Sequence, residues 1–157
     1  MNTIAKFYKA IPVWVTSIII LIIIAYCSLD SNPLDINSIK LFEGADKVIH
    51  FIMYFTLCTA FIFDYAKMRM PHHTKFSSEA AFTTFAFLIG FIMEILQAKI
   101  SEFRVFDIND IIANTLGAVT ALIIIKAWLM HKFRKAMVPL YVRRHHHHHH
   151  HHSKSSE

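Results

Sequence analysis

Three glycines and four prolines in 157 residues leave no room for a linker-rich or low-complexity chain, and no segment repeats. The only cysteines, Cys27 and Cys58, both lie inside apolar runs. That excludes a disulfide framework, and the absence of any CxxC excludes a cysteine zinc site; both read as packed free thiols. Histidine is scarcer than its twelve copies suggest, because His145 to His152 is an unbroken run of eight. With Ser153 to Glu157 it reads as a purification tag and its tail, which leaves His50, His72, His73 and His131. The net charge is +5, yet no soluble basic face exists to hold a duplex, so nucleic acid is excluded as a partner.

What the chain has is long apolar runs. Apolar residues make up 55% of it and the mean hydropathy is +0.42, above the roughly 45–50% of a soluble domain. The runs cover about 11–29, 48–65, 80–98 and 108–130, each long enough for a bilayer's hydrocarbon core of about 30 Å. In lipid, backbone groups must bond within their own segment, so even the Ile-rich first run becomes a helix. Asp30-Ser31-Asn32-Pro33 is no signal-peptide cleavage site, so the first run reads as a retained helix. The expected fold is all-α: one integral membrane domain over 1–144, a four-helix bundle with the second, third and fourth helices as its polar core. Twelve of the sixteen Lys and Arg flank the N-terminus, the middle loop and the C-terminus. The positive-inside rule then places both termini in the cytoplasm and the other two loops outside.

Unusual polar residues gather at one depth, the outer ends of the helices. Asp46, His50 and Tyr54 recur every four residues, with Lys47 beside them. Gly90, Glu94 and Gln97 share one face, and so do Asp107, Asp110, Asn114 and Gly117. The cytoplasmic halves show nothing comparable. Glu94 sits about a turn inside the boundary and needs a partner, for which Arg104, Lys47 and His50 are candidates. Each residue also has a plainer role. Asp46 and Asp107 serve as helix caps, Asp110 completes an imperfect capping box, and His50 is an interfacial histidine. Tyr54 packs, Asn114 and Gln97 bond between helices, and Gly117 lets helices approach.

Three segments resemble the VanZ-like family: Asp46-Lys47-Val48-Ile49-His50-Phe51-Ile52-Met53-Tyr54 its DKxxHFxxY signature, Gly90 to Gln97 its GxxxExxQ segment, and Arg104 to Gly117 its RxxDxxDxxxNxxG segment. The resemblance runs from about Asp46 to Ile125 and implies a small bacterial membrane protein. It also implies a link to teicoplanin resistance, without supplying a mechanism.

Three functions follow as expectations. In the first, an outward pocket of Asp46, Lys47, His50, Tyr54, Glu94, Gln97, Arg104, Asp107, Asp110 and Asn114 binds a cell-wall precursor or lipid-linked ligand, with Lys47 and Arg104 on its anionic group. In the second, the pocket is an enzyme's, with His50 or Glu94 as general base. No cofactor is called for, although Glu94, Asp107, Asp110 and His50 are conceivable divalent-metal ligands. No serine or cysteine nucleophile stands in the cluster, which argues against acyl-enzyme chemistry. In the third, the cluster only holds the bundle together.

Overall fold

The protein is described by a computed structural model, in which residues 3–29, 44–100 and 106–149 are placed. Among these residues every element is helical: α1 (Thr3–Ala10), α2 (Val15–Leu29), α3 (Ala45–Arg69), α4 (Phe76–Ile100), α5 (Ile108–Ile124), a π-helical turn (Ile125–Leu129) and α6 (Met130–His149). Three stretches are long and apolar enough to cross a membrane: α3, α4 and the continuous helix Ile108–Val142. The pair α1 and α2, bent by 81°, makes a fourth if it counts as one span. The outward sides of these helices are apolar, as at Ile18, Ile22, Phe85, Ile92, Ile112 and Ile123, each at least half exposed. An apolar belt of that extent belongs in lipid, so the chain is an integral membrane protein of helical-bundle type.

The helix α3 is the centre. Half of its most apolar window is buried inside the bundle, against a third for α4 and for the α5 helix. Its most extensive packing is against α5, followed by α4 and α2. The shared core gathers Tyr54, Leu57, Cys58, Phe61 and Ile62 of α3 with Ile24, Ala86, Ala118, Ala121 and Ile125. Cys58 is buried beside Thr83, and both cysteines are free, as the sequence implies.

The first helix differs from the expected single run over 11–29. It is broken at Ile11–Trp14, where Pro12 offers no N–H and Trp14 takes a left-handed φ of 74°. Such a break strands backbone groups that water would otherwise satisfy. One turn of α3 takes them up. Asp64 accepts from the backbone N–H of Ser17 at 3.1 Å, from the Ser17 hydroxyl at 2.7 Å and from the Tyr8 hydroxyl at 2.8 Å. Three residues on, Lys67 donates to the carbonyls of Tyr8 and Ile11. Acid thus meets the start of α2 and ammonium the end of α1, as the helix dipoles favour. A second buried acid lies at the same end: Glu79 is met at 2.8 Å by Lys126, whose side chain is partly exposed, and Thr74 donates to Glu79.

These residues correct one expectation. Polar side chains are not confined to one depth: Asp64 and Glu79 have no exposure at all, and Lys67 has 3%. The reason is that α3 runs on to Arg69 and the α1–α2 bend closes over its end, so what reads as a charged flank is interior. Lys67 is therefore committed inside the bundle, and the charge asymmetry among loops rests on the remaining basic residues.

Candidate functional site

The ends of α3, α4 and α5 opposite Pro71 meet in one polar cluster. The helix α3 starts from Gly44, whose φ of 85° side chains with a β-carbon rarely adopt, and which gives no side-chain cap. The expected cap by Asp46 is thus not made; Asp46 lies in the first turn and binds Lys47 at 3.0 Å. The helix α5 starts at Asp107, whose side chain accepts from the Asn109 N–H at 2.8 Å, a regular N-cap. In a capping box, Asp110 would reach back to the Asp107 N–H. Here Glu94 of α4 takes that N–H at 3.1 Å, which ties α4 to α5 and leaves Asp110 free to face α3.

Lys47 stands between three carboxylates, at 3.0 Å from Asp46, 3.1 Å from Asp107 and 3.4 Å from Asp110. An ammonium has three N–H donors, so all are engaged. The Asn109 amide and then the Lys47 ammonium hold the Asp107 carboxyl below the usual carboxylate range. Deeper in, His50 Nδ1 lies 3.0 Å from the Asn114 amide oxygen, and His50 Nε2 lies 4.0 Å from Asp110 Oδ2. Side-chain exposure falls from 57% at Asp46 through 37% at Lys47 to 13% at Asp110 and 9% at His50, so the cluster opens at the helix ends and closes inward.

At its floor are two groups with unmet hydrogen-bonding capacity. Glu94 Oε2 and the Tyr54 hydroxyl are both buried without a partner among the described residues. Gly90 supplies the room beside them: a Cβ there would stand 3.1 Å from the Tyr54 ring and 3.2 Å from Asn114.

Of the residues singled out in the sequence, Asp46, Lys47, His50, Glu94, Asp107, Asp110 and Asn114 converge here, with Tyr54 beneath. Gln97 does not join them; its amide donates to the Ser28 carbonyl at 2.9 Å and fastens the end of α2 to α4. We expect Gln97→Ala to lower stability by about 1 kcal/mol, the scale of one interhelical hydrogen bond, while leaving the cluster's ligand properties intact. A melting curve in detergent beside a binding measurement checks both halves. Arg104 lies outside the described residues. The buried polar residues missed in the sequence, Asp64 and Glu79, carried a usable signal, since an acid within a membrane helix demands a partner.

The family model described as VanZ/LLP1 matches residues 2–130. No curated protein and no solved structure matches the chain. The matched stretch takes in every residue of the cluster and the whole of α3, α4 and α5. The chain belongs to the VanZ/LLP1 family.

Proposed function

We propose that this protein lies in a bacterial cytoplasmic membrane with both termini inside, so that the cluster opens outward and binds a cell-wall precursor or lipid-linked ligand, lowering susceptibility to teicoplanin. The observation that supports this reading is the surplus of unmet capacity at the floor of the cluster. A purely structural cluster would pair its groups, because a buried unpaired acceptor costs roughly 1–3 kcal/mol. Glu94 Oε2 and the Tyr54 hydroxyl are left over. The Lys47 donors are taken, so the groups left to meet a ligand are His50, Glu94 Oε2 and the Tyr54 hydroxyl, which suit a ligand's hydroxyl or amide.

A second reading, catalysis on a phosphate-bearing envelope substrate, draws on the orientation of His50. Its Nδ1 is held by Asn114, which turns Nε2 toward Asp110 and the pocket as a base would be turned.

The test is growth inhibition by teicoplanin and vancomycin in a susceptible bacterial host. Cells making the native chain are compared with cells making Glu94→Gln or Asp110→Asn at matched membrane levels. Native cells should tolerate several-fold more teicoplanin, and the variants should lose that margin. A native chain that gives no margin removes the resistance role, and variants that protect as well as the native chain remove the cluster from it.

A further inference from the structure

We propose that His50, Glu94 and Asp110 form a binding site for one divalent transition-metal ion of the manganese or zinc class. The inference deepens the ligand-pocket reading and rests on it only for what the metal would carry. Each of the three residues offers one donor atom, and the three atoms lie within 4.8 Å of one another. Donors at about 2.0–2.2 Å from a common ion stand roughly 3–4 Å apart. His50 Nε2 and Asp110 Oδ2 are already at 4.0 Å, and from the 4.8 Å limit binding needs at most about 1–2 Å of closure.

Histidine orientation is the second argument. The Asn114 amide oxygen can only accept, so His50 Nδ1 carries the proton and donates to it. The lone pair of a neutral ring is then on Nε2, facing a carboxylate oxygen beyond hydrogen-bond reach. Two acceptors facing each other across a gap call for something positive between them. A metal-binding histidine ordinarily donates its other N–H to a carbonyl or carboxylate, as Asn114 arranges here.

Glu94 provides independent support. Its Oε1 is satisfied by the Asp107 N–H, while Oε2 is partnerless among the described residues on a side chain whose residue is only 3% exposed. The Tyr54 hydroxyl, on a residue 1% exposed, is likewise unpaired and stands ready for a metal-bound water. Charge agrees. Asp46, Glu94, Asp107 and Asp110 face one ammonium, and Lys47 engages Asp110 through Oδ1, leaving Oδ2 open on the His50 side. Asp46 and Asp107 are solvated, so the negative charge that is costly without a cation is that of the buried Glu94 and Asp110.

One imidazole with two carboxylates suits manganese or zinc better than calcium, which prefers an all-oxygen shell. Three protein ligands leave coordination positions open for water or for a phosphate oxygen of a lipid-linked ligand. That would bring an anionic group into an acidic pocket without a free ammonium.

The probe is Mn²⁺, because nitrogen-rich sites such as the histidine tag bind it most weakly in the divalent series. Purified full chain in detergent is titrated with Mn²⁺, and free ion is read by electron paramagnetic resonance. The octahistidine peptide alone sets the tag's contribution. The native chain should take up about one Mn²⁺ per chain beyond that peptide. Glu94→Gln and Asp110→Asn, checked for folding by circular dichroism and gel filtration, should each weaken this uptake at least tenfold. If Glu94 is neutralised by a proton, or by Arg104, native chain and variants bind alike and the proposal is overturned. Native uptake no greater than that of the peptide overturns it even if neither variant folds. Teicoplanin protection without Mn²⁺ uptake removes the metal and keeps the ligand pocket; uptake without protection does the reverse.

Discussion

Gly117→Ala is expected to destabilise the protein by about 3 kcal/mol, the upper part of the range for overpacking, and to disable the cluster with it. A Cβ at position 117 would stand 2.3 Å from the Phe51 carbonyl oxygen, 3.0 Å from the Phe55 nitrogen and 3.1 Å from the Phe51 carbonyl carbon. All three are backbone atoms of α3, so no rotamer change relieves the clash; α5 must move off α3. The two helices form the most extensive contact in the bundle, and they also carry His50 against Asn114 and Lys47 against Asp107 and Asp110. A shift of about 1 Å would take those contacts beyond hydrogen-bond range. Gly90→Ala makes the contrast. Its Cβ would meet side chains of Tyr54 and Asn114 at 3.1–3.2 Å, which can yield by a few tenths of an ångström. Thermal unfolding in detergent should rank native above Gly90→Ala above Gly117→Ala. A Gly117→Ala protein that melts with the native one would show that α3 and α5 do not approach this closely.

The convergence of the cluster could be read from spacing because each of its helices carries its polar residues at helical intervals, so that one face of α3, of α4 and of α5 is marked in the sequence. Residues 46, 50, 94, 107, 110 and 114 meet as those faces require. What spacing could not show is which hydrogen bond each makes. Glu94 Oε1 bonds the Asp107 N–H at the start of the next helix, while Arg104, one of the cations expected for it, lies outside the described residues. Gln97 shares the face of Glu94 but sits a turn nearer the end of α4, where α2 rather than α5 is the neighbour. The break in the first helix was illegible for a different reason. Ile18 to Ile24 is apolar throughout, so its run gives no amphipathic phase, and hydropathy alone marks its start. Pro12 was the local signal, since a proline ends or kinks a helix near the preceding residue. The partners that make the break tolerable, Asp64 and Lys67, are about fifty residues away in sequence, and only the folded bundle brings them under it.

That clamp leads to the second large effect. Asp64→Leu is expected to cost about 3–5 kcal/mol, the range for removing one member of a buried charged network. The substitution removes the acceptor for three donors at once: the Ser17 N–H, the Ser17 hydroxyl and the Tyr8 hydroxyl. Within a bilayer, irregular backbone is tolerated only where protein satisfies it, so the loss falls on the start of α2. It also leaves Lys67, still bound to the carbonyls of Tyr8 and Ile11, as a buried ammonium without the attraction of Asp64. Trp14 adds to the sensitivity, because a non-glycine residue held at a φ of 74° stores about 1–3 kcal/mol that the surrounding contacts must hold in place. Without the clamp, that strain favours release of α1 and of the Trp14–Phe82 ring contact, now 5.4 Å between centroids. Asp64→Asn, which keeps acceptor capacity but not the charge, should cost distinctly less. The expected signature is a lower melting midpoint with faster hydrogen exchange confined to residues 3–18, while the His50–Asn114 end exchanges as in the native protein. Uniform exchange along α2, or an Asp64→Leu protein as stable as the native one, would mean that the bend is held by apolar packing of Ala5 and Tyr8 on α6 and not by the acid beneath it.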